Sequence, residues 1–170
     1  MATVLGLWLA VGAAIAAEAP KKGDAAPDIQ LTDLDGKAVK LADFKGKVVY
    51  VDFWATWCPP CRHALPHTQK LSERNETKGD KPDLVVLGIA GYDDDDPDTV
   101  RSFLKAQKFT FRCLHDKDQK VAAAWGVDGI PTFAVIGRDG KIAWTGVGAD
   151  DETLAAIDPA VDAALGQPAP

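Results

Sequence analysis

Cys58 and Cys61, separated by two prolines in Trp57-Cys58-Pro59-Pro60-Cys61, constrain this chain more than any other feature. Two cysteines at that spacing can pass between a dithiol and a disulfide. The residues before them, Val48-Val49-Tyr50-Val51-Asp52-Phe53-Trp54, read as a buried strand, and residues 62–74 after them read as a helix. The fold must therefore hold the pair where a strand hands over to a helix N-terminus, whose dipole and free amides favour a thiolate. A structural bridge across two residues closes a small loop and stabilises little. A zinc site would need two further ligands, and the third cysteine, Cys113, is single. Redox chemistry is the reading that remains.

The two sulfurs have different expected roles. Cys58, at the exposed helix end, is the candidate nucleophile, and Cys61, one turn inside, is the candidate resolving cysteine. Pro59 and Pro60 shape the loop and carry no backbone N–H, so the amide of Cys61 is the nearest that can reach the Cys58 sulfur. Resolution needs a proton acceptor. Asp52 lies six residues before Cys58 inside an apolar strand, so burial should raise its pKa and fit it for acid–base work on Cys61, directly or through water. The competing reading places Asp52 at a strand end, facing solvent.

A chain of 170 residues with 46% hydrophobic content suits one compact domain with a proper core. Its net charge of −6 argues against nucleic acid or an anionic membrane surface as the main partner. Residues 3–17 carry no charge, and Ala14-Ile15-Ala16 has the small-x-small form of a signal-peptidase site, although no Lys or Arg precedes the apolar run. Residues 1–16 are thus read as a signal peptide or an uncleaved anchor, 17–26 as a linker, 27–166 as the domain and 167–170 as a disordered tail. The expected location is periplasmic or otherwise exported, at the inner membrane if the segment is retained, where disulfides persist.

Ile29 and Leu31, then Val39 and Leu41, flank Asp35-Gly36 and predict a β-hairpin. Residues 84–90 predict a second buried strand, and Asp96-Pro97 a helix start. A short strand follows over 110–114 and a short helix over 119–125. Strands over 132–136 and 142–147 flank Asp139-Gly140, and a last helix carries Leu154, Ile157, Val161 and Leu165, with Pro159 expected to kink or restart it and Gly166 to cap it. Pro66 is expected to kink the helix that follows the dithiol. This order predicts an α/β fold, a mixed central sheet with helices on both faces and an N-terminal β-hairpin extension.

Val51-Asp52-Phe53-Trp54-Ala55-Thr56-Trp57-Cys58-Pro59-Pro60-Cys61 resembles the active-site segment of thioredoxin-fold proteins, most closely the exported TlpA-like (ResA- and CcmG-type) thiol-disulfide oxidoreductases. The resemblance covers residues 26–147 and includes Ala26-Pro27-Asp28, Asp35-Gly36-Lys37, Phe44-Lys45-Gly46-Lys47 and Gly129-Ile130-Pro131-Thr132-Phe133. It implies that Pro131 is cis and packs opposite the dithiol, that the Ile130 backbone pairs with a partner's extended segment, and that Trp57 shields the site and contacts partners. Two positions depart from the group: Ala64 stands where a Glu is common, and Asp52 where Asn is common. The implied function is thiol–disulfide exchange on exported proteins, as a reductant re-reduced by a membrane electron donor. A disulfide oxidase or isomerase is the alternative within the class, and a copper-binding metallochaperone using Cys58, Cys61 and a histidine the alternative outside it. No cofactor beyond the Cys58–Cys61 disulfide and no metal site are expected. His63 and His67 are read as exposed helix histidines, Cys113 as a packed free thiol, and residues 92–96 as a solvated acidic loop whose last Asp caps a helix.

Overall fold

The computed structural model describes residues 18–76, 83–92 and 95–168. The segment read as a signal or anchor (1–16), the end of the tail (169–170) and Asp93-Asp94 of the acidic loop lie outside the described residues. Among the described residues no helix is long and apolar enough to cross a membrane.

Seven strands form one mixed sheet: β1 (Gln30–Asp33), β2 (Ala38–Lys40), β3 (Val48–Phe53), β4 (Leu84–Ala90), β5 (Arg112–His115), β6 (Thr132–Ile136) and β7 (Ile142–Val147). Their spatial order is β2-β1-β5-β4-β3-β6-β7. The helices are α1 (Pro59–Glu76), α2 (Pro97–Gln107), α3 (Lys120–Ala124) and α4 (Asp151–Leu165), with a 3-10 turn at Leu41–Phe44. β3 is central, parallel to β4 and antiparallel to β6, and every one of its residues is buried. That is why it reads as a continuous apolar run.

Alternation along β3 divides the core. Val48, Tyr50 and Trp54 pack with the buried faces of α1, α2 and α4. Val49, Val51 and Phe53 pack with Val121 and Ala122 of α3, and with Ile29 and Val39 beside the hairpin. Connectivity explains the split. The crossovers β3-α1-β4 and β4-α2-β5 step the same way across the sheet, so right-handed connections put both helices on one face. The chain then returns from β5 to the far side of β3, and α3 falls on the other face. The expected mixed sheet with helices on both faces and a leading β-hairpin is what forms.

The turn chemistry is also as expected. Asp33 Oδ1 accepts from the amides of Asp35 and Lys37, and Gly36 supplies φ +82°. Asp96 caps α2 by accepting from the amides of Asp98 and Thr99, with Pro97 at the first helical position.

Both α1 and α4 continue through their prolines, so α4 does not restart at Pro159. Pro66 and Pro159 sit on exposed helix faces, as do Arg62 and Ala155, whose carbonyls the prolines leave unpaired, so water can satisfy those groups. Gly166 caps α4 as expected, its N–H donating to Asp162 O (3.0 Å), in an ordinary right-handed conformation with φ −71°. Part of the segment read as a linker is tied down: Gly23 N donates to Ile142 O (2.8 Å), Ile142 N to Asp24 O (2.9 Å) and Ala26 N to Gly140 O (3.0 Å). β7 is an outer strand of the sheet, and its first residues would otherwise expose unpaired backbone groups.

Gly88 has a packing reason for lacking a side chain. It stands between Asp52 on β3 and Cys113 on β5. A Cβ there would lie 2.7 Å from the Phe111 ring and 2.9 Å from Trp54 Nε1.

Candidate active site at the start of helix α1

The Cys58 amide donates to Ala55 O (3.3 Å), closing the turn that follows β3, and Arg62 N donates to Cys58 O (3.1 Å), the first hydrogen bond of α1. Cys58 is thus the residue at the helix entrance. Pro59 and Pro60 occupy the first two helical positions, where an N–H has no intrahelical partner and its loss costs little. Cys58 and Cys61 are joined in a disulfide, Cα–Cα 5.3 Å. The Cys61 amide donates to Cys58 Sγ at 3.2 Å, the one contact the two prolines leave available.

One expectation about these cysteines needs correction. Cys58 is 3% exposed, almost as buried as Cys61 at 1%, so exposure does not distinguish them. The cover comes from across the sheet. The Ile130–Pro131 peptide is cis, Pro131 is buried, and Ile130 O lies 3.7 Å from Cys58 Sγ. Trp57, by contrast, is 51% exposed beside the dithiol. The asymmetry between the sulfurs is one of position: Cys58 stands before the helix, against the Ile130 carbonyl, and Cys61 within it.

Asp52 is buried, not facing solvent at a strand end. It is 1% exposed and points to the α1 face of the sheet, where the Thr68 hydroxyl donates to its Oδ2 at 2.7 Å. Its Oδ1 has no hydrogen-bond partner among the described residues. Burial pushes the carboxyl up to about 7, and the Thr68 hydrogen bond partly offsets that rise. Behind Thr68, the Tyr50 hydroxyl lies 3.3 Å from Thr68 Oγ1, placed to donate to it. The phenol itself is held well above its ordinary value, by burial first and then by the Asp52 charge.

Thr68 and Tyr50 were not singled out from sequence. A signal existed: Cys61, Ala64, Leu65, Thr68 and Leu71 form the buried stripe of α1, and Thr68 is a hydroxyl within it. Replacing Thr68 with Val keeps the shape and removes the donor. A hydrogen bond to a charged group is worth about 1.5–3 kcal/mol, so the Asp52 titration should rise by roughly 1–2 pH units. The carboxyl carbon shift followed by NMR across pH tests this; an unmoved titration would contradict the geometry.

The remaining candidates are dispersed. His63 is exposed, while His67 turns toward α4, with Nε2 3.5 Å from Asp158 Oδ2. Among the described residues no three His, Cys, Asp or Glu side chains gather into a metal-binding group. Cys113 is a buried free thiol, and burial raises its pKa far beyond the usual range, which keeps it protonated and a poor nucleophile.

The Redoxin family profile matches residues 21–165, nearly the whole described domain and both halves of the dithiol site. The chain belongs to the Redoxin family. Within reach of this family assignment, the chain is 36% identical over 121 residues to the thiol-disulfide oxidoreductase ResA of Bacillus anthracis, covering 71% of this chain and 66% of that one. It is 30% identical over 137 residues to ResA of Bacillus subtilis (strain 168), covering 81% and 73%. A putative thiol:disulfide interchange protein DsbE from Chlorobium tepidum superposes with TM-score 0.77 at 33% identity, over 87% of this chain and 100% of that one. A putative protein disulfide isomerase from Bacteroides thetaiotaomicron does so with TM-score 0.76 at 28% identity, over 87% and 92%. The thioredoxin-like fold and the resemblance to ResA-type proteins therefore hold.

Proposed function

We propose that the protein is a thiol–disulfide oxidoreductase acting on cysteines of exported proteins, and that it works as a reductant. The observation that carries the direction is the hydrogen bonding at Cys58. One amide, that of Cys61, reaches its sulfur, because the two intervening residues are prolines. A thiolate with a single amide donor is less stabilised than one with several, and a less stabilised thiolate goes with a more reducing dithiol.

In the proposed cycle the Cys58 thiolate attacks one sulfur of a partner disulfide. A Cys58–partner disulfide forms, the partner's disulfide breaks, and its other sulfur leaves as a thiolate. Cys61 then gives up its proton and attacks Cys58 Sγ, releasing the second partner thiolate. Two electrons pass to the partner, and the Cys58–Cys61 disulfide remains. Asp52 is the proposed acceptor of the Cys61 proton. Its pKa near 7 lets it take and return a proton at neutral pH, and Oδ1 is open to receive one. Trp57 and the Ile130–Pro131 segment form the proposed partner surface, since Trp57 is exposed next to Cys58 in the chain and Ile130 O lies 3.7 Å from Cys58 Sγ. Re-reduction is assigned to a dithiol electron donor at the membrane, consistent with the apolar segment at residues 1–16 and a periplasmic location.

The Cys58 pKa tests the direction. Alkylation rate or thiolate absorbance across pH in the reduced protein should give a value near 7 or higher, whereas strongly oxidising relatives of this chemistry lie at about 3.5. A value near 3.5 would overturn the reductant reading and leave the oxidase.

A further inference from the structure

Asp95 belongs to the acidic loop read from sequence as solvated, yet it is 2% exposed. Its carboxylate faces the loop that carries the dithiol. Oδ2 accepts from the Thr56 amide at 2.6 Å, and Oδ1 accepts from the Thr56 hydroxyl. Thr56 is two residues before Cys58 and next to Trp57. Asp95 is itself held from behind: its amide donates to Tyr92 O (3.2 Å), and its carbonyl lies 2.8 Å from His115 Nε2 on β5. Tyr92 O also accepts from the Trp57 indole at 3.3 Å. The connection between β4 and α2 thus grips the active-site loop at two successive residues, Thr56 by its amide and hydroxyl and Trp57 by its indole.

We infer that Asp95 is a positioning residue for thiol–disulfide exchange. Through Thr56 it fixes the path of the backbone into Cys58 and the placement of Trp57. A buried carboxylate needs charge-assisted partners, and it finds both on one residue of the active-site turn. Pro59 and Pro60 supply no amide to anchor that turn from the helix side, so the Asp95 bonds to Thr56 add the side-chain hold that the helix start lacks. A partner's disulfide must meet Cys58 Sγ in line, beside Trp57 and the Ile130 carbonyl, and small misplacements at such a centre are costly in rate. A small electrophile approaching the same sulfur has no such docking demand. The inference rests on the proposed role of Cys58 as the attacking thiol.

The test compares reduced wild type, Asp95→Ala, Asp95→Asn and Thr56→Val in two reactions: reduction of a disulfide-bearing peptide, and alkylation of Cys58 by iodoacetamide at fixed pH. Asp95→Ala should lower the second-order rate constant with the peptide about tenfold, with alkylation within about twofold of wild type. Asp95→Asn, which can still accept from the Thr56 amide, should recover the peptide rate to within about threefold of wild type. An Asp95→Ala rate equal to wild type would overturn the inference. So would equal losses in both reactions, or an Asn variant as impaired as Ala. Should Asp95→Ala not fold, Thr56→Val removes one of the two hydrogen bonds: a peptide rate reduced about threefold with unchanged alkylation supports the clasp, and an unchanged peptide rate overturns it. A wild-type chain inert toward the peptide would overturn the exchange activity and the clasp together, whereas a reactive wild type matched by Asp95→Ala overturns the clasp alone.

Discussion

Cys58→Ser is expected to lower disulfide reduction by at least about a thousandfold, while Cys61→Ser keeps the first step and loses the second. A serine hydroxyl stays protonated at neutral pH and does not replace a thiolate as nucleophile. The entrance position of Cys58, its contact with the Ile130 carbonyl and its hydrogen bond from the Cys61 amide make it the sulfur a partner meets. Cys61 sits one turn inside α1, bonded to Cys58, so its position in the helix rather than its exposure assigns it the second step. In Cys61→Ser the mixed disulfide between Cys58 and a peptide should therefore accumulate, with a formation rate within about tenfold of wild type, because removing one member of a sequential pair blocks only its own step. Mass spectrometry of the quenched reaction identifies the adduct. Accumulation in Cys58→Ser instead would reverse the two assignments.

Asp52→Asn is the second large effect, and it changes sign with pH. The folded pKa of about 7 lies above the ordinary carboxylate value. Between roughly pH 4 and pH 7 the folded chain therefore keeps a proton that the unfolded chain has released, and stability falls as pH rises through that window. Three units correspond to about 4 kcal/mol, fully lost above pH 7. Asn does not titrate. It can still accept from Thr68, but it brings amide hydrogens to the place where Oδ1 has no partner among the described residues, at a cost of about 1–3 kcal/mol. The variant should then be less stable than wild type at pH 4 and more stable at pH 8, the difference swinging by about 4 kcal/mol between them. Denaturant unfolding at the two pH values measures it, and an identical difference at both would mean that Asp52 is not held protonated by burial. Activity should move the other way. Release of the partner from the mixed disulfide should slow by at least about tenfold, since the acid–base group is gone, while formation of the mixed disulfide is unchanged. A carboxylate that weakens the fold at the pH where it serves the chemistry fits a catalytic role better than a structural one.

Much of this was legible in the sequence because local signals agreed with the global fold. The apolar run of β3, the paired prolines at the helix entrance, Asp96 and the Asp35-Gly36 and Asp139-Gly140 turns each dictate their own geometry. Asp52 was legible for a related reason, as a charged residue inside a strand that alternation leaves no way to expose. What was not legible depends on contacts between residues far apart in the chain. Thr68 meets Asp52 across 16 residues, and Asp95 meets Thr56 across 39. Asp95 in particular is one of several consecutive aspartates, and nothing local separates the buried one from Asp96, which caps α2 at the surface. The burial of Cys58 escaped for the same cause: its cover comes from Ile130, 72 residues away.

The reduction potential of the Cys58–Cys61 couple tests the central claim most directly. Equilibration of the domain with a thiol–disulfide buffer of known poise, read by alkylation of the reduced fraction, should give a value of about −200 to −270 mV or lower, the range of dithiols that reduce others. A value near −120 mV, the range of a dedicated oxidant, would contradict it.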